Sequence, residues 1–407
     1  MDVINRRCAG LDVHKDSVWA CVRVEGRQFI EKFGATSSEL LRLGDWLVGH
    51  GATVAAMEST GVYWKPVWNL LEDRMALMLV NAQHVKKVPG RKTDISDCAW
   101  LAQLLECGLL KASFVPPRPQ RELRDLTRQR TQLQGDRARV INRIQKTLED
   151  ANIKLASVAT DITGKSGRAI LDALAEGKLT PQQMAELVHR SMEAKKPAMR
   201  EALVGKVTPH HRFMLSQLLG QIDALDQLIL SFDQRIGEVM SPLEKAAIER
   251  LDGIPGFDLR TGQKVIAEIG ADMSRFATPR HLASWAGMCP PNHESGGKRK
   301  SRHINKANKW LKSALTQAAW AASRTRRSYF SAQHRRLTTR RGVKRANIAV
   351  AHSLLVVAHC ILSDQTTYTD LGAGYFDKMR DPERQAEQMV KRLEKLGYAV
   401  EIKKAAA

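Results

Sequence analysis

Between Leu215 and Val239 apolar residues recur every seven positions in two interleaved registers. Leu215, Ile222, Ile229 and Ile236 form one, and Leu218, Leu225, Phe232 and Val239 the other. On a strand these residues would scatter over both faces; on a helix they make one seam of coiled-coil spacing. Thr208-Pro209 supplies a cap and a first-turn proline, so the helix starts there. A helix this long cannot cover its own seam and needs a partner. One lies upstream, where Leu126, Leu133 and Val140 repeat at heptad spacing with Leu123, Ile144 and Leu148 beside them. Arg121, Arg124, Arg128, Arg130, Arg137, Arg139 and Arg143 fill much of the remaining surface. They either face solvent or contact phosphates. The two helices are expected to pair antiparallel, within one chain or across a dimer; the spacing leaves both open.

These helices divide the chain. At 407 residues it exceeds one core, and Val115-Pro116-Pro117-Arg118-Pro119-Gln120 is a stiff linker ahead of the first helix. The expected domains are 1–114, 115–245 and 246–365, followed by a tail, 366–407. A hydrophobic content of 43% suits a soluble protein, but 64 Lys+Arg against 43 Asp+Glu leave a net charge of +21. That excess favours a polyanion, most simply nucleic acid. No basic amphipathic anchor marks a membrane partner, and Met1–Arg7 lacks the apolar core of a signal peptide. Ala346–Leu362 is apolar but holds His352 and His359 and is short for a bilayer span, so it reads as a buried helix. Six cysteines without a C-x-x-C pair argue against zinc or a disulfide framework and suit a reducing, cytoplasmic, nucleoid-associated setting.

The first domain reads as α/β. Arg7–Val13, Val18–Val24 and Phe29–Gly34 are strands, and Thr36-Ser37-Ser38-Glu39 is a capping box opening a helix to about Val48. Thr53–Met57 is a buried strand, a helix runs through Trp64, Trp68 and Leu71, and Ala76–Val80 is a fifth strand. Asp12 then falls at the end of the first strand and Glu58 at the end of the fourth, places where an acid is out of character. Asp94 and Asp97 follow on a helix, three residues apart and so on one face. Each alone has a bland explanation, such as a first-turn acid facing the helix dipole. Four acids at element ends of one sheet favour convergence. Gathered carboxylates stay ionised only with cations among them, and hard oxygen ligands point to Mg²⁺ or Mn²⁺.

Gly10-Leu11-Asp12-Val13-His14-Lys15, Met57-Glu58-Ser59-Thr60-Gly61 and Lys92-Thr93-Asp94-Ile95-Ser96-Asp97 resemble the DEDD set of one insertion-sequence transposase family. That family comprises the bridge-RNA-guided recombinases and the Piv-type DNA invertases. The resemblance spans nearly the whole chain, with its motifs in the family's order. It implies an RNase H-like (RuvC-like) N-terminal domain with divalent metal on Asp12, Glu58, Asp94 and Asp97. Beyond it would come a coiled-coil middle and a mostly α C-terminal domain.

In that last domain Leu251-Asp252-Gly253-Ile254-Pro255-Gly256 before a helix resembles a helix-hairpin-helix, whose glycine turn bares N–H groups to a phosphate. A plain helix–helix turn is the other reading. Further on, Ser295 precedes Gly296 and Gly297, with Lys298, Arg299, Lys300 and Arg302 behind. By residues alone this is a flexible basic loop with an incidental serine. The resemblance makes Ser295 the nucleophile of an S-G-G-K loop, although Glu294 stands where the family often has a second serine or another small polar residue. Residues 324–345 are dense in arginine, Arg326 and Arg327 included, with Tyr329 and Phe330 interleaved, which suits phosphate and stacking contacts. Gly164-Lys165-Ser166 mimics a P-loop ending, but Ala159 stands at the required upstream glycine.

The expectation is therefore a metal-dependent DNA transposase/recombinase acting on donor and target DNA. The resemblance adds a structured guide RNA, and the heptads suggest a homodimer or tetramer. A guide-free DNA invertase, a RuvC-like junction nuclease and a non-catalytic DNA-binding protein are the alternatives.

Overall fold

The computed structural model describes residues 3–59, 61–81, 94–289, 294–295, 298–299, 307–378 and 382–401. The chain divides into two compact units, Met1–Pro117 and Arg118–Ala407.

The first unit is built on a five-stranded sheet. Strands β1 (Arg7–Val13), β2 (Ser17–Val24), β3 (Arg27–Gly34), β4 (Val54–Glu58) and β5 (Ala76–Val80) lie in the order β3-β2-β1-β4-β5. β1, β2 and β3 form an antiparallel meander, whereas β4 runs parallel to both β1 and β5. β1 lies mid-sheet and is covered on both faces, hence its near-continuous apolar run. On one face Ala9, Leu11, Ala55 and Met57 pack with Leu40, Leu43 and Leu47 of α1 (Ser37–Gly49) and with Val67 and Leu71 of α2 (Trp64–Leu71). On the other face Cys8 and Ala56 meet Leu105 of α3 (Asp94–Glu106), and Cys21 meets Cys98 and Ala102. This mixed sheet and the helical remainder are compatible with an RNase H-like start.

The expected capping box at Thr36 does not form. Thr36 is the N-cap residue without a side-chain cap bond, and Glu39 Oε2 instead accepts from the Gly34 N–H at 3.1 Å. The acid ties the helix to the end of β3 rather than to its own cap.

In the second unit α4 (Arg118–Asp150) and α5 (Pro209–Val239) pair antiparallel within the chain. Arg130 reaches Asp233 at 2.7 Å, Arg137 reaches Asp226 at 2.6 Å and Asp150 accepts from His211 at 2.8 Å. Thr208 and His211 form a capping box at the start of α5. Leu215, Ile222, Ile229 and Ile236 are all buried in the seam. On the facing side Leu123, Leu133, Val140, Ile144 and Leu148 are buried and Leu126 is half-buried, and Arg130 joins them, fully buried between Asp233 and Gln263 Oε1 (2.6 Å). Gly164 caps a helix, Lys165–Glu176, in the helical cluster at the far end of the pair.

A larger core joins the near end of the pair to α6 (Pro242–Asp252), α7 (Leu259–Ile269), α8 (Pro279–Trp285), α9 (Lys309–Arg324), α10 (Tyr329–Arg341) and α11 (Val343–Asp364). Val350, Leu354, Leu355 and Ala358 of the apolar α11 are buried in it. The tail carries α12 (Pro382–Glu394), which leaves Met389 and Leu393 exposed.

Gly10 sets the spacing between β1 and α3. A Cβ there would lie 2.5 Å from Ala102 N and closer still to Cys98 O, both backbone atoms that cannot swing aside. Gly10→Ala should therefore cost about 1–3 kcal/mol and raise amide exchange in α3 before the rest of the unit. Unchanged protection of α3, measured by hydrogen exchange, would contradict that close contact.

Candidate catalytic acids and serine hairpin

β1 and β4 are in parallel register through Leu11↔Met57. The next level places Asp12 beside Glu58, on strands about 4.8 Å apart. Side chains alternate along a strand, so Asp12 shares its face with Cys8 and Gly10, and Glu58 shares its face with Ala56. Both acids thus belong to the face that α3 covers. Glu58 is half-buried at the end of β4, and the side chain of Asp12 is 18% exposed.

α3 brings the third acid. Asp97 lies in its first turn and is half-buried, next to Cys98, which is fully buried against the sheet. Burial pushes the Cys98 thiol up to about 11, and the carboxylates of Asp12 and Asp97 add to that push by opposing a thiolate. One sulfur therefore feels the end of β1 and the start of α3 together. Asp94 is the first residue of α3, but its side chain lies outside the described residues. Among the described residues no three His, Cys, Asp or Glu side chains close on a common point. Asp12 and Glu58 share a sheet face and a strand end, and the helix that carries Asp94 and Asp97 covers that face. As donors they fit a hard divalent cation, since carboxylate oxygens are its preferred ligands.

The sequence reading overlooked His14, whose Nε2 donates to Asp12 Oδ2 at 3.0 Å. The signal was available: one turn residue past the strand end, the ring reaches back to the acid.

Ser295 lies with Glu294 on a two-residue strand, β6, paired antiparallel with β7 (Lys298–Arg299) so that Ser295 faces Lys298. The side chains of these four residues, and Gly296, Gly297, Lys300 and Arg302 altogether, lie outside the described residues.

Downstream, Asn308 caps α9 by accepting from the N–H groups of Trp310 and Leu311. Its own amide donates to Glu268 Oε2 at 2.6 Å. Glu268 is only 2% exposed and also takes both arms of Arg128, at 2.7 and 2.8 Å. Arg124 donates to the carbonyls of Ala267 and Glu268. This knot anchors the start of α9 to α4 and α7. It also removes Arg124 and Arg128 from the cations free for phosphate, as Asp233 and Asp226 do for Arg130 and Arg137.

The turn between α6 and α7 contains Gly253 and Gly256. Gly256 has φ +88°, and a Cβ on it would lie 2.9 Å from Ala322 N and closer to Ala318 O. Its missing side chain lets the turn pack closely on α9. Gly253 ends α6 near Tyr368. Arg326 and Arg327 are exposed in the turn from α9 to α10.

Comparison with known proteins matches residues 9–153 to a DEDD transposase model of the IS110 type, described as a transposase. Residues 248–335 match a second model, the transposase IS116/IS110/IS902 family. The first segment contains all four acids and the second contains Ser295, Gly253, Gly256, Arg326 and Arg327. Among whole proteins, the transposase for insertion sequence element IS1111A of Coxiella burnetii is 24% identical over 295 residues, covering 71% of this chain and 72% of that protein. A probable family 20 transposase of Pseudomonas aeruginosa is 24% identical over 322 residues, 77% of this chain and 85% of its own. A mini-circle putative transposase for IS117 of Streptomyces coelicolor reaches 34% over 120 residues, 27% of this chain and 29% of its own. With both segments matched in order and relatives aligned through most of its length, the chain belongs to the IS110/IS116 family of transposases, enzymes of mobile insertion elements.

Proposed function

We propose that this transposase is a recombinase that cuts and rejoins DNA through Ser295, assisted by Asp12, Glu58, Asp94 and Asp97 of an RNase H-like domain. The observation that carries the reading is the neighbouring placement of Asp12 and Glu58 at parallel strand ends, under a helix that starts with Asp94 and Asp97. Negative charge concentrated on one face of a protein with net charge +21 has little use in a plain DNA binder. Mg²⁺ or Mn²⁺ held by these carboxylates would supply Lewis-acid stabilisation of phosphodiester oxygens and a lower pKa for an attacking hydroxyl.

The chain's own residues then do the following. His14 holds Oδ2 of Asp12 and so orients the carboxylate. The Ser295 hydroxyl gives up its proton and its oxygen bonds to phosphorus, while the P–O3′ bond breaks and the 3′ oxygen takes a proton. Strand and protein are now joined as a phosphoserine ester. A new 3′ hydroxyl attacks the same phosphorus and returns the serine, so the phosphodiester is conserved and no energy source is consumed. Lys298 and Arg299, with Lys300 and Arg302, oppose the charge that develops on the phosphorane. Arg326, Arg327 and the exposed arginines of α10 grip the backbone, and the turn at Gly253 and Gly256 is a second backbone contact. The same basic surface suits a structured RNA from the element that pairs with donor and target DNA. A homodimer or tetramer would let acids and serine come from different copies.

Asp12→Asn, Glu58→Gln, Asp94→Asn and Asp97→Asn should each lower strand cleavage by at least about a hundredfold. DNA binding in gel-shift assays should stay equal or tighten, because removing negative charge cannot weaken attraction to phosphate. Wild-type cleavage in excess EDTA would sink the metal assignment. For the serine, a nicked or phosphorothiolate substrate should give an adduct that survives denaturing gels, mapped by peptide sequencing to residues 289–298. Ser295→Ala should bind DNA normally and give neither adduct nor joined product; joining at the wild-type rate would leave hydrolysis or direct transfer instead.

A further inference from the structure

The turn from β4 into α2, a helix that packs on the sheet face opposite to the acids, leaves two bulky residues in solvent past the strand end where Glu58 lies. Val62 is 63% exposed and Tyr63 is 42% exposed. Single exposed apolar residues are ordinary, but this pair follows Glu58 within five positions in a chain with only 5% aromatics. The neighbours show what a structural aromatic looks like in this unit. Trp64 and Trp68 meet edge to face at 5.9 Å and pack on the core under α2. Tyr63 has no ring partner among the described residues.

Its orientation is also set. Gly61 takes φ +57°, a left-handed turn that redirects the chain after the strand. A Cβ at Gly61 would stand 3.7 Å from both Cδ2 and Cε2 of Tyr63, so the ring lies back against the turn rather than out along α2. The Lys65 N–H donates to Val62 O at 3.1 Å and closes the turn. One edge of the ring thus lies near Gly61, three residues past the end of β4 where Glu58 lies.

We infer that Tyr63, flanked by Val62, is a stacking platform for a nucleobase of the DNA strand whose phosphate is presented to Asp12 and Glu58. This rests on the acid site proposed above. Every base has a π-face, so the contact would tolerate any sequence and fix where the strand lies rather than which strand it is. An unpaired, splayed base meets the ring more readily than a stacked one, so single-stranded or distorted DNA is the preferred form.

The test uses the full chain and an oligothymidine single strand in which some thymidines are replaced by 5-iododeoxyuridine, in EDTA so that nothing is cleaved. Long-wavelength irradiation followed by peptide mapping should place the crosslink on Tyr63. Tyr63→Ala should lose that crosslink and bind the strand about tenfold more weakly, whereas Tyr63→Phe and Tyr63→Trp should stay within about twofold. Circular dichroism checks that each variant is folded, and the two aromatic variants carry the test should Tyr63→Ala fold poorly. Crosslinks that all fall elsewhere, or an affinity unchanged in Tyr63→Ala, would overturn the proposal. Asp12→Asn separates it from the acid site: that variant should keep the Tyr63 crosslink, and if it also cleaves DNA, the acid assignment fails while the stacking contact stands.

Discussion

Helix α3 rests on β1 with backbone against backbone, and Gly10 is what permits it. Any side chain at that position would collide with Cys98 O and Ala102 N and lift the helix from the sheet. The consequences run outward from this contact. Cys8 Sγ donates to Ala102 O at 3.4 Å, Cys21 and Cys98 are sealed together, and the first turn of α3 is pressed toward the end of β1. Carboxylates some 80 residues apart in sequence are thereby held on one face. Small residues under the helix, and not the acids themselves, set how close the acids come.

The second unit spends much of its positive charge on itself. Arg124, Arg128, Arg130 and Arg137 are engaged by Glu268, Asp233 and Asp226 and by backbone carbonyls. Arg130 is taken fully out of water, where an ion pair costs desolvation and is retained for register as readily as for stability. Polar partners at one level of the α4–α5 seam disfavour any shifted pairing, because a shift would strand a buried guanidinium. Among the described residues, cations without such internal acid partners concentrate instead around α10, where Arg326, Arg327, Arg340, Arg341, Lys344 and Arg345 are exposed. The excess charge read from composition is real, but on α4 only part of it faces solvent: Arg139 and Arg143 are exposed, whereas Arg124, Arg128 and Arg130 are held by partners.

Much of the sheet was legible because buried strands are short apolar runs ended by turn residues, and β1, β4 and β5 carry that mark. The order of the strands was not legible, since pairing is decided across tens of residues. Local rules failed where a distant group competed: Glu39 preferred the Gly34 N–H to the cap at Thr36. Arg130 read as a surface or phosphate-facing arginine but is buried beside the leucine seam, because its partners, Asp233 and Gln263, lie 103 and 133 positions away. Of the site, Asp12 and Glu58 stood out by lying at strand ends where an apolar pattern stops, and Asp94 and Asp97 by their spacing on one helix face. His14 and Glu268 did not, because each matters only through a contact made in three dimensions. Gly256 stood out for its turn, yet its packing on α9 needed the fold to be seen.

The central claim is that the face shared by Asp12, Glu58 and α3 binds a divalent cation. Titration of the metal-free protein with Mn²⁺, followed by electron paramagnetic resonance, tests it without any nucleic acid. The wild type should bind Mn²⁺, and Asp12→Asn and Glu58→Gln should each lose most of that affinity. Gly10→Ala should weaken it with every acid still in place. Mn²⁺ binding that is equal in the wild type, Asp12→Asn and Glu58→Gln would contradict it.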